Sequence, residues 1–282
     1  DYGRRFKDVV VEKSLTVEYW SERIDVDKYR VHYTLDSSQL SGTWWVAYLQ
    51  GDYYIESGNG GRYGGLSFDG TDDYVKIPPL NYESYTVEIC TKTDVLDSSW
   101  HTAVGSWKPD HYWVHVGVNS ENRFSNYVAL DGTITHVVDS STTVKTGIYY
   151  YLGAVVDKEE GRLEFWVDGE RTVDIPKSWS TTETPGSNNI FIGSKSDAFN
   201  FWKGVIAFVR IFNRGLVEDE IYNNYINEEP TNKTGLVLYL SRWSIDPYAG
   251  YWYDISGYSN HGTIYGACLL YTSDAADDGE SV

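Results

Sequence analysis

The chain has 282 residues and a formal net charge of −18, with 41 acidic against 23 basic residues, and 16% of it is aromatic. Such an acidic chain repels phosphate backbones, which argues against nucleic acid as a partner. No run approaches the roughly 18 apolar residues of a membrane-spanning helix, so no membrane span is expected. Two cysteines, Cys90 and Cys268, are too few for a disulfide framework.

The first 56 residues contain several stretches in which apolar and polar side chains alternate, among them KYRVHYTL (28–35). Alternation with β-branched and aromatic residues predicts β-strands. The Gly-rich stretch SGNGGRYG (57–64) then separates this N-terminal β-rich segment from the rest. The pattern leaves open whether residues 1–56 form a separate domain or add strands to the next one.

From Gly65 onward the sequence is a succession of short strands and turns. YTVEIC (85–90) and RLEFWV (162–167) alternate in polarity, and Asp168-Gly169 is a two-residue hairpin signal. One segment, GLVEDEIYNNYIN (215–227), predicts a helix, because its early carboxylates complement the helix dipole. We therefore predict an all-β fold, a two-sheet antiparallel sandwich with one short helix near the C-terminal end of the domain.

Five blocks carry a family resemblance, and they occur in the family's order: LSFDGTDDYVKI, YTVEICTK, VKTGIYYYLGAVVDKEEGRLEFWVDGERT, NNIFIGS and FWKGVIAFVRIFNRGLVEDEI. Together they resemble the concanavalin A-like, laminin-G-like jelly-roll domain over about residues 57–227. The resemblance implies the jelly-roll fold. It says less about activity, because this fold carries lectins, adhesion modules, virion proteins and glycosidases alike.

The C-terminal part has two further segments. Within 228–267, a linker leads into GLVLYLSRWSIDPYAGYWYDISGYSNHGTIYGA, which resembles the opening segment of another such domain. It is either a partial second repeat or a set of strands that return to the first domain. Residues 268–282 begin with CLLYTSDAAD, which resembles the translation of a sequencing-library adapter. This predicts a non-native tail from a metagenomic assembly; the alternative is a natural acidic tail.

The stretch GLSFDGTDDYVKI places Asp69, Asp72 and Asp73 within five residues. Clustered carboxylates suit Ca²⁺, which takes six to eight oxygen ligands, and relatives in the resembled family often hold calcium in such a loop. The spacing is not that of an EF-hand. The alternative is a tight turn at Asp69-Gly70 whose other carboxylates cap backbone amides.

Aromatic side chains near predicted turns and strand ends are the candidate ligand contacts. We select Trp107, Tyr112, Trp113 and Trp202, because sugar recognition uses flat aromatic faces. The alternative is that these side chains pack in the core, as most aromatic residues do.

No catalytic residue is identified, since the sequence has neither an E-x-D-x-E run of paired carboxylates nor a nucleophile motif. We predict a non-catalytic binding or adhesion module for a glycan or surface polymer, located outside the cell or on a cell or virion surface. The first alternative is a self-associating structural subunit of a surface layer, filament or virion. The second is a glycosidase or lyase of the same fold.

Overall fold

The computed structural model describes the backbone of residues 4–10, 15–25, 28–34 and 53–56, and residues 64–270 apart from 109–110, 132, 177, 182–186, 197–198 and 228. The chain divides into two compact units, Asp1–Arg62 and Tyr63–Val282. The predicted domain boundaries at residues 57 and 228, and residues 271–282 of the predicted tail, lie outside the described residues. That division into domains therefore stays a prediction.

The first unit contains a four-stranded antiparallel sheet in which strands adjacent in sequence are also adjacent in space. Its strands are β1 (Arg4–Val10), β2 (Leu15–Asp25), β3 (Lys28–Thr34) and β4 (Tyr53–Glu56). The alternating stretches of the N-terminal segment thus form strands, as the sequence predicts.

In its described residues the second unit contains sixteen strands and one helix. Its elements are β5 (Gly65–Asp69), β6 (Tyr74–Ile77), β7 (Tyr85–Thr93), β8 (His101–Lys108), β9 (His111–Val118), β10 (Arg123–Leu130), β11 (Thr133–Thr143), β12 (Tyr149–Asp157), β13 (Arg162–Val167), β14 (Glu170–Pro176), β15 (Ile190–Ile192), β16 (Lys203–Phe212), α1 (Glu218–Asn227), β17 (Leu236–Asp246), β18 (Tyr251–Asp254), β19 (Gly262–Tyr265) and β20 (Cys268–Leu270).

These strands pair antiparallel along one path, β11-β10-β9-β8-β15-β6-β19-β18-β17-β16-β7-β12-β13-β14, with β5 joined to β16 and β20. The path folds over on itself at β17, whose pairing with β18 shifts register between Leu240 and Ile245. We call β11 to β18 of this path the front layer and β17 to β14 the back layer. The two layers form the predicted all-β jelly-roll sandwich.

One apolar cluster fills the space between the layers. It contains inward side chains of the front layer, such as Val116 and Phe124, and of the back layer, such as Ile89 and Leu152. Because side chains alternate across a strand, the neighbouring residues face away from this core. In each layer, the residues that alternate with the core residues along a strand therefore form the outer face of the sandwich.

Helix α1 covers the outer face of the back layer. Ile221 of α1 is fully buried and belongs to a second apolar cluster with Val155 and Trp166. The hairpin predicted at Asp168-Gly169 is confirmed: both residues have positive φ, 50° and 80°, as this turn requires. In the part of the chain that the structure describes, no helix combines the length and apolarity needed to cross a membrane.

The C-terminal strands pair with strands formed by residues 65–212. Strand β17 pairs with β16, β19 with β6, and β20 with β5. The carboxylate of Asp254 organises the segment that follows β18, accepting hydrogen bonds from the backbone N–H groups of Tyr239 (2.8 Å), Ser256 (2.9 Å) and Asn260 (2.9 Å). The YDISGYSNHG stretch thus holds β18 and β19 in place.

Candidate ligand-binding surface

The outer face of the front layer presents a set of aromatic side chains around two polar ones. The cross-strand partners run from Tyr251 to Thr263, from Thr263 to Lys76, and from Lys76 to Phe191. Directly paired residues share one face of a sheet. The residues that form this surface, which we call the platform, are Tyr74, Lys76, Phe191, Tyr251, Tyr253, Thr263 and Tyr265.

Two stacked pairs of tyrosine rings lie on the platform. Tyr251 and Tyr253 of β18 have ring centroids 5.8 Å apart, and Tyr265 of β19 stacks on Tyr74 of β6 at 4.6 Å. Phe191 lies edge-on to Tyr74 at 5.6 Å and is itself buried. Tyr251, Tyr253 and Tyr265 remain 41%, 38% and 42% exposed. An exposed, preorganised array of flat rings on a rigid sheet is a surface on which a ligand with apolar faces can stack.

The Asp69–Asp73 turn adjoins the platform, because it connects β5 to β6 directly before Tyr74. One carboxylate oxygen from each of Asp69, Asp72 and Asp73 lies within 4.8 Å of the other two. The backbone N–H of Asp69 donates to Asp73 Oδ2 (2.8 Å), and that of Thr71 donates to Asp69 Oδ1 (2.7 Å). The predicted turn is therefore present, and its carboxylates converge.

Burial raises the pKa of Asp73, and the neighbouring charges of Asp69 and Asp72 add to the rise. Gly266, which has a φ of +75°, lies against this carboxylate, and a Cβ at position 266 would approach Asp73 Oδ1 to 2.0 Å. Asp73 Oδ1 thus packs against Gly266 in the place where any other residue would carry its Cβ. The residues present fit a hard cation such as Ca²⁺, which takes carboxylate oxygens and relieves their mutual repulsion.

Two of the four aromatic residues selected from the sequence are core residues. Trp202 is fully buried and donates its indole N–H to the Lys92 carbonyl (3.3 Å). Trp113 is also buried and donates to the Tyr82 carbonyl (2.9 Å), because the register shift between Ser106 and Trp107 turns it inward. Neither ring has a face available to a ligand.

The other two selected residues are direct partners across β8 and β9, although the side chain of Tyr112 lies outside the described residues. Trp107 is half-buried, with Lys195 Nζ 4.8 Å from its ring centroid and the Phe199 ring 5.9 Å away. Those ring contacts join Trp107 to Lys195 and Phe199.

Two buried carboxylates of the back layer are held by arginines. Glu88 Oε2 lies 3.1 Å from Arg210 Nη1, and Glu164 Oε1 lies 3.3 Å from Nη1 of both Arg162 and Arg171. Glycoside hydrolysis uses two carboxyl groups that face the scissile bond. Glu88 and Glu164 are instead covered on the outer face of the back layer.

Sequence reasoning missed the platform tyrosines, although a signal was present. In YWYD (251–254) the two tyrosines alternate with Trp252 and Asp254, which the structure buries. An alternating strand with aromatic residues on its polar side is a sign of an exposed aromatic face. The alternation in YWYD does not, however, predict which strands pair with β18 and β19.

The fold and this surface define a jelly-roll β-sandwich with an aromatic outer face. Residues 69–222, more than half of the chain, match the family model Laminin_G_3 of the concanavalin A-like lectin/glucanases superfamily. The chain belongs to this family. No curated protein sequence matches it.

One solved structure has the same fold, and two others score lower. A candidate carbohydrate binding protein from Bacteroides ovatus superposes with a TM-score of 0.59 at 16% identity, covering 90% of this chain and 68% of that one. A heptameric SAP-like pentraxin from Limulus polyphemus has a TM-score of 0.49 at 11% identity, covering 72% and 93% of the two chains. The CBM40 of a Ruminococcus gnavus sialidase has a TM-score of 0.46 at 14% identity, covering 56% and 95%. The last two scores are too low to establish more than a general likeness.

Proposed function

We propose that this protein is a non-catalytic carbohydrate-binding module that acts outside the cell or at a cell or virion surface. The observation that carries the proposal is the platform, on which Tyr251, Tyr253 and Tyr265 are exposed and Tyr265 stacks on the half-buried Tyr74. Sugar rings present C–H faces that stack on tyrosine rings, while the phenolic hydroxyls remain free to hydrogen-bond sugar hydroxyls. Family membership and the likeness to the Bacteroides ovatus protein support the same class of ligand.

Affinity electrophoresis of the full chain in gels that contain soluble polysaccharides tests this function. At least one polysaccharide should retard the protein, and Tyr265→Ala and Tyr251→Ala should each weaken its binding about tenfold, since 1.4 kcal/mol corresponds to tenfold in affinity. The matched control is Tyr222→Ala, which removes a similarly exposed tyrosine from α1 and should leave retardation unchanged.

Three results would count against the proposal. They are the absence of retardation in every polysaccharide, equal loss of binding in the Tyr222 variant, and release of reducing sugar from a retarding polysaccharide. Filaments or sheets of the purified protein under the electron microscope, without glycan binding, would favour the structural-subunit alternative.

We further propose that the Asp69–Asp73 turn holds a calcium ion beside the platform. The convergence of the three carboxylates supports this proposal. A bound ion would fix the turn that precedes Tyr74 and so hold the end of β6 in place.

Thermal unfolding with excess calcium and then with EDTA tests the metal site. Calcium that binds only the folded chain should raise the midpoint by several degrees, because a ligand at 100 times its Kd adds about 2.7 kcal/mol. Asp72→Asn should abolish the rise, whereas Glu159→Gln, at an exposed acid in the turn after β12, should keep it. A midpoint unaffected by calcium would leave the turn without a metal role.

A further inference from the structure

Lys76 lies at the centre of the platform. It is exposed on β6, paired across the sheet with Thr263 on one side and Phe191 on the other. Tyr74, in the adjacent outward position of the same strand, is stacked under Tyr265. Lys76 thus lies between Thr263 and Phe191 on the sheet, next to Tyr74 along its own strand. The paired positions Thr263 and Phe191 carry no carboxylate.

Lys76 differs in its surroundings from the arginines of the back layer. The arginines of the back layer are held by buried carboxylates, as in the Arg210–Glu88 pair. Among the described residues, no carboxylate lies within ion-pair distance of Lys76. The net charge of −18 repels anions at long range, but salt screens this repulsion beyond about 10 Å. At contact distance, a cation without a carboxylate partner on a stacking surface is available to a negative group of the ligand.

The distance between Tyr251 and Lys76 across the sheet matches two linked sugar rings better than a single ring. Neighbouring strands lie about 4.8 Å apart, so Tyr251 on β18 and Lys76 on β6, two strands away, are separated by about 10 Å. Thr263 lies between them and offers a hydroxyl. Two linked sugar rings cover this distance, one stacked on the tyrosines of β18 and the other over Lys76.

We propose that the platform selects acidic glycans, in which a carboxylate or sulfate on a sugar ring pairs with the ammonium of Lys76 while neighbouring rings stack on the platform tyrosines. This inference rests on the proposed carbohydrate-binding function and specifies its ligand class. Carboxylate and sulfate are both negatively charged oxygen acceptors, so the two sources share one chemistry.

Isothermal titration of the full chain with matched oligosaccharides tests the inference. The carboxylate arm compares an oligogalacturonate with its uncharged methyl ester, and the sulfate arm compares a sulfated galactan oligomer with its desulfated form. The protein variants are Lys76→Met, which keeps the aliphatic stem, and Lys76→Arg, which keeps the charge. Lys233→Met, at an exposed lysine before β17, is the control.

The acidic member of at least one arm should bind three- to tenfold more tightly than its neutral partner at low salt, and 0.5 M NaCl should reduce this preference. Lys76→Met should remove the preference without weakening the neutral ligand, Lys76→Arg should largely restore it, and Lys233→Met should retain it. The arm that shows the preference identifies the anion.

Equal binding of the acidic and neutral members, or an unchanged preference in Lys76→Met, would overturn the acidic-glycan inference and leave carbohydrate binding intact. Failure of every oligosaccharide to bind the wild-type protein, together with no retardation in any polysaccharide gel, would overturn both.

Discussion

The two outer faces of the sandwich carry similar aromatic residues in opposite surroundings. On the front layer, Tyr251, Tyr253 and Tyr265 are open to solvent. On the back layer, Tyr151 and Tyr239 are almost completely buried. Aromatic content therefore does not by itself identify a binding face. What distinguishes the faces is whether another element covers the rings.

The cover on the back layer depends on a buried polar network. Glu88 accepts hydrogen bonds from Tyr151, from Asn224 of α1 (3.0 Å) and from Arg210 (3.1 Å). The guanidinium of Arg210 lies 4.1 Å from the Phe208 ring centroid, and both charged residues are fully buried. A buried ion pair is tolerated when its groups are paired in this way, and the network also joins the helix to the sheet.

The largest expected effect comes from breaking this network. Arg210→Ala should lower the free energy of unfolding by about 3–5 kcal/mol, because it leaves the Glu88 carboxylate buried without its cation. Urea denaturation followed by tryptophan fluorescence measures the loss. Arg123→Ala, at an exposed arginine 3.9 Å from Glu121, should change stability by no more than about 0.5 kcal/mol. Equal effects of the two substitutions would contradict the distinction between covered and open faces.

An effect of intermediate size on stability is expected at His115, which lies where the open part of the front layer ends. His115 of β9 faces outward but is buried, with its ring 5.6 Å from that of Trp100 and 5.5 Å from that of Tyr127. Burial, with a smaller contribution from the charge of Lys195, lowers the pKa of His115 to about 3. The front face is therefore covered around His115 and open around the platform tyrosines.

The sign of the resulting pH dependence follows from linkage. Below a pH of about 6.5 the unfolded chain protonates this histidine, whereas the folded chain does so only near 3. The free energy of unfolding should therefore decrease as the pH is lowered from about 6.5 to about 3, by up to about 1.4 kcal/mol per pH unit from this group. Urea denaturation between pH 7 and pH 4 should show a shallower pH slope for His115→Gln than for the wild type. Parallel slopes would indicate that His115 is solvated.

The smallest effect is expected on the open face. Tyr253→Ala should alter the free energy of unfolding by less than about 1 kcal/mol, because it removes one partly exposed ring from the stack with Tyr251. Chemical denaturation of this variant and of Arg210→Ala under the same conditions compares the stability losses on the two faces. A loss of several kcal/mol would mean that the platform is part of the core and not a surface available to ligand.

The sequence predicted the layered β fold well, because alternation, hairpin signals and early helix carboxylates are local. The turn at Asp168-Gly169 and helix α1 are examples. The binding surface was harder to predict, because it depends on pairing between strands distant in sequence. Trp113 is an example of a residue that we selected as a ligand contact but that is buried. A register shift turns it inward, and no local pattern in HYWV predicts that shift.

The sequence showed the candidate cation turn as three clustered aspartates, but it did not show that Gly266 lies beside this turn. Gly266 reaches Asp73 through the pairing of β19 with β6, which brings together two segments from different parts of the chain. Likewise Lys76 gains its surroundings from Thr263 and Phe191, which belong to two other strands. Such tertiary neighbours lie beyond what spacing along the sequence can predict.

The pairing of Lys76 with Thr263 also has a kinetic consequence, since it joins strands near opposite ends of the second unit. Closing so long a loop is entropically costly, and contacts of this kind slow folding. The platform cannot assemble until β6, β15, β18 and β19 have come together. Capture on an immobilised glycan would then separate molecules in which these strands have paired from folding intermediates in which they have not, and the time at which capture first succeeds would report that pairing.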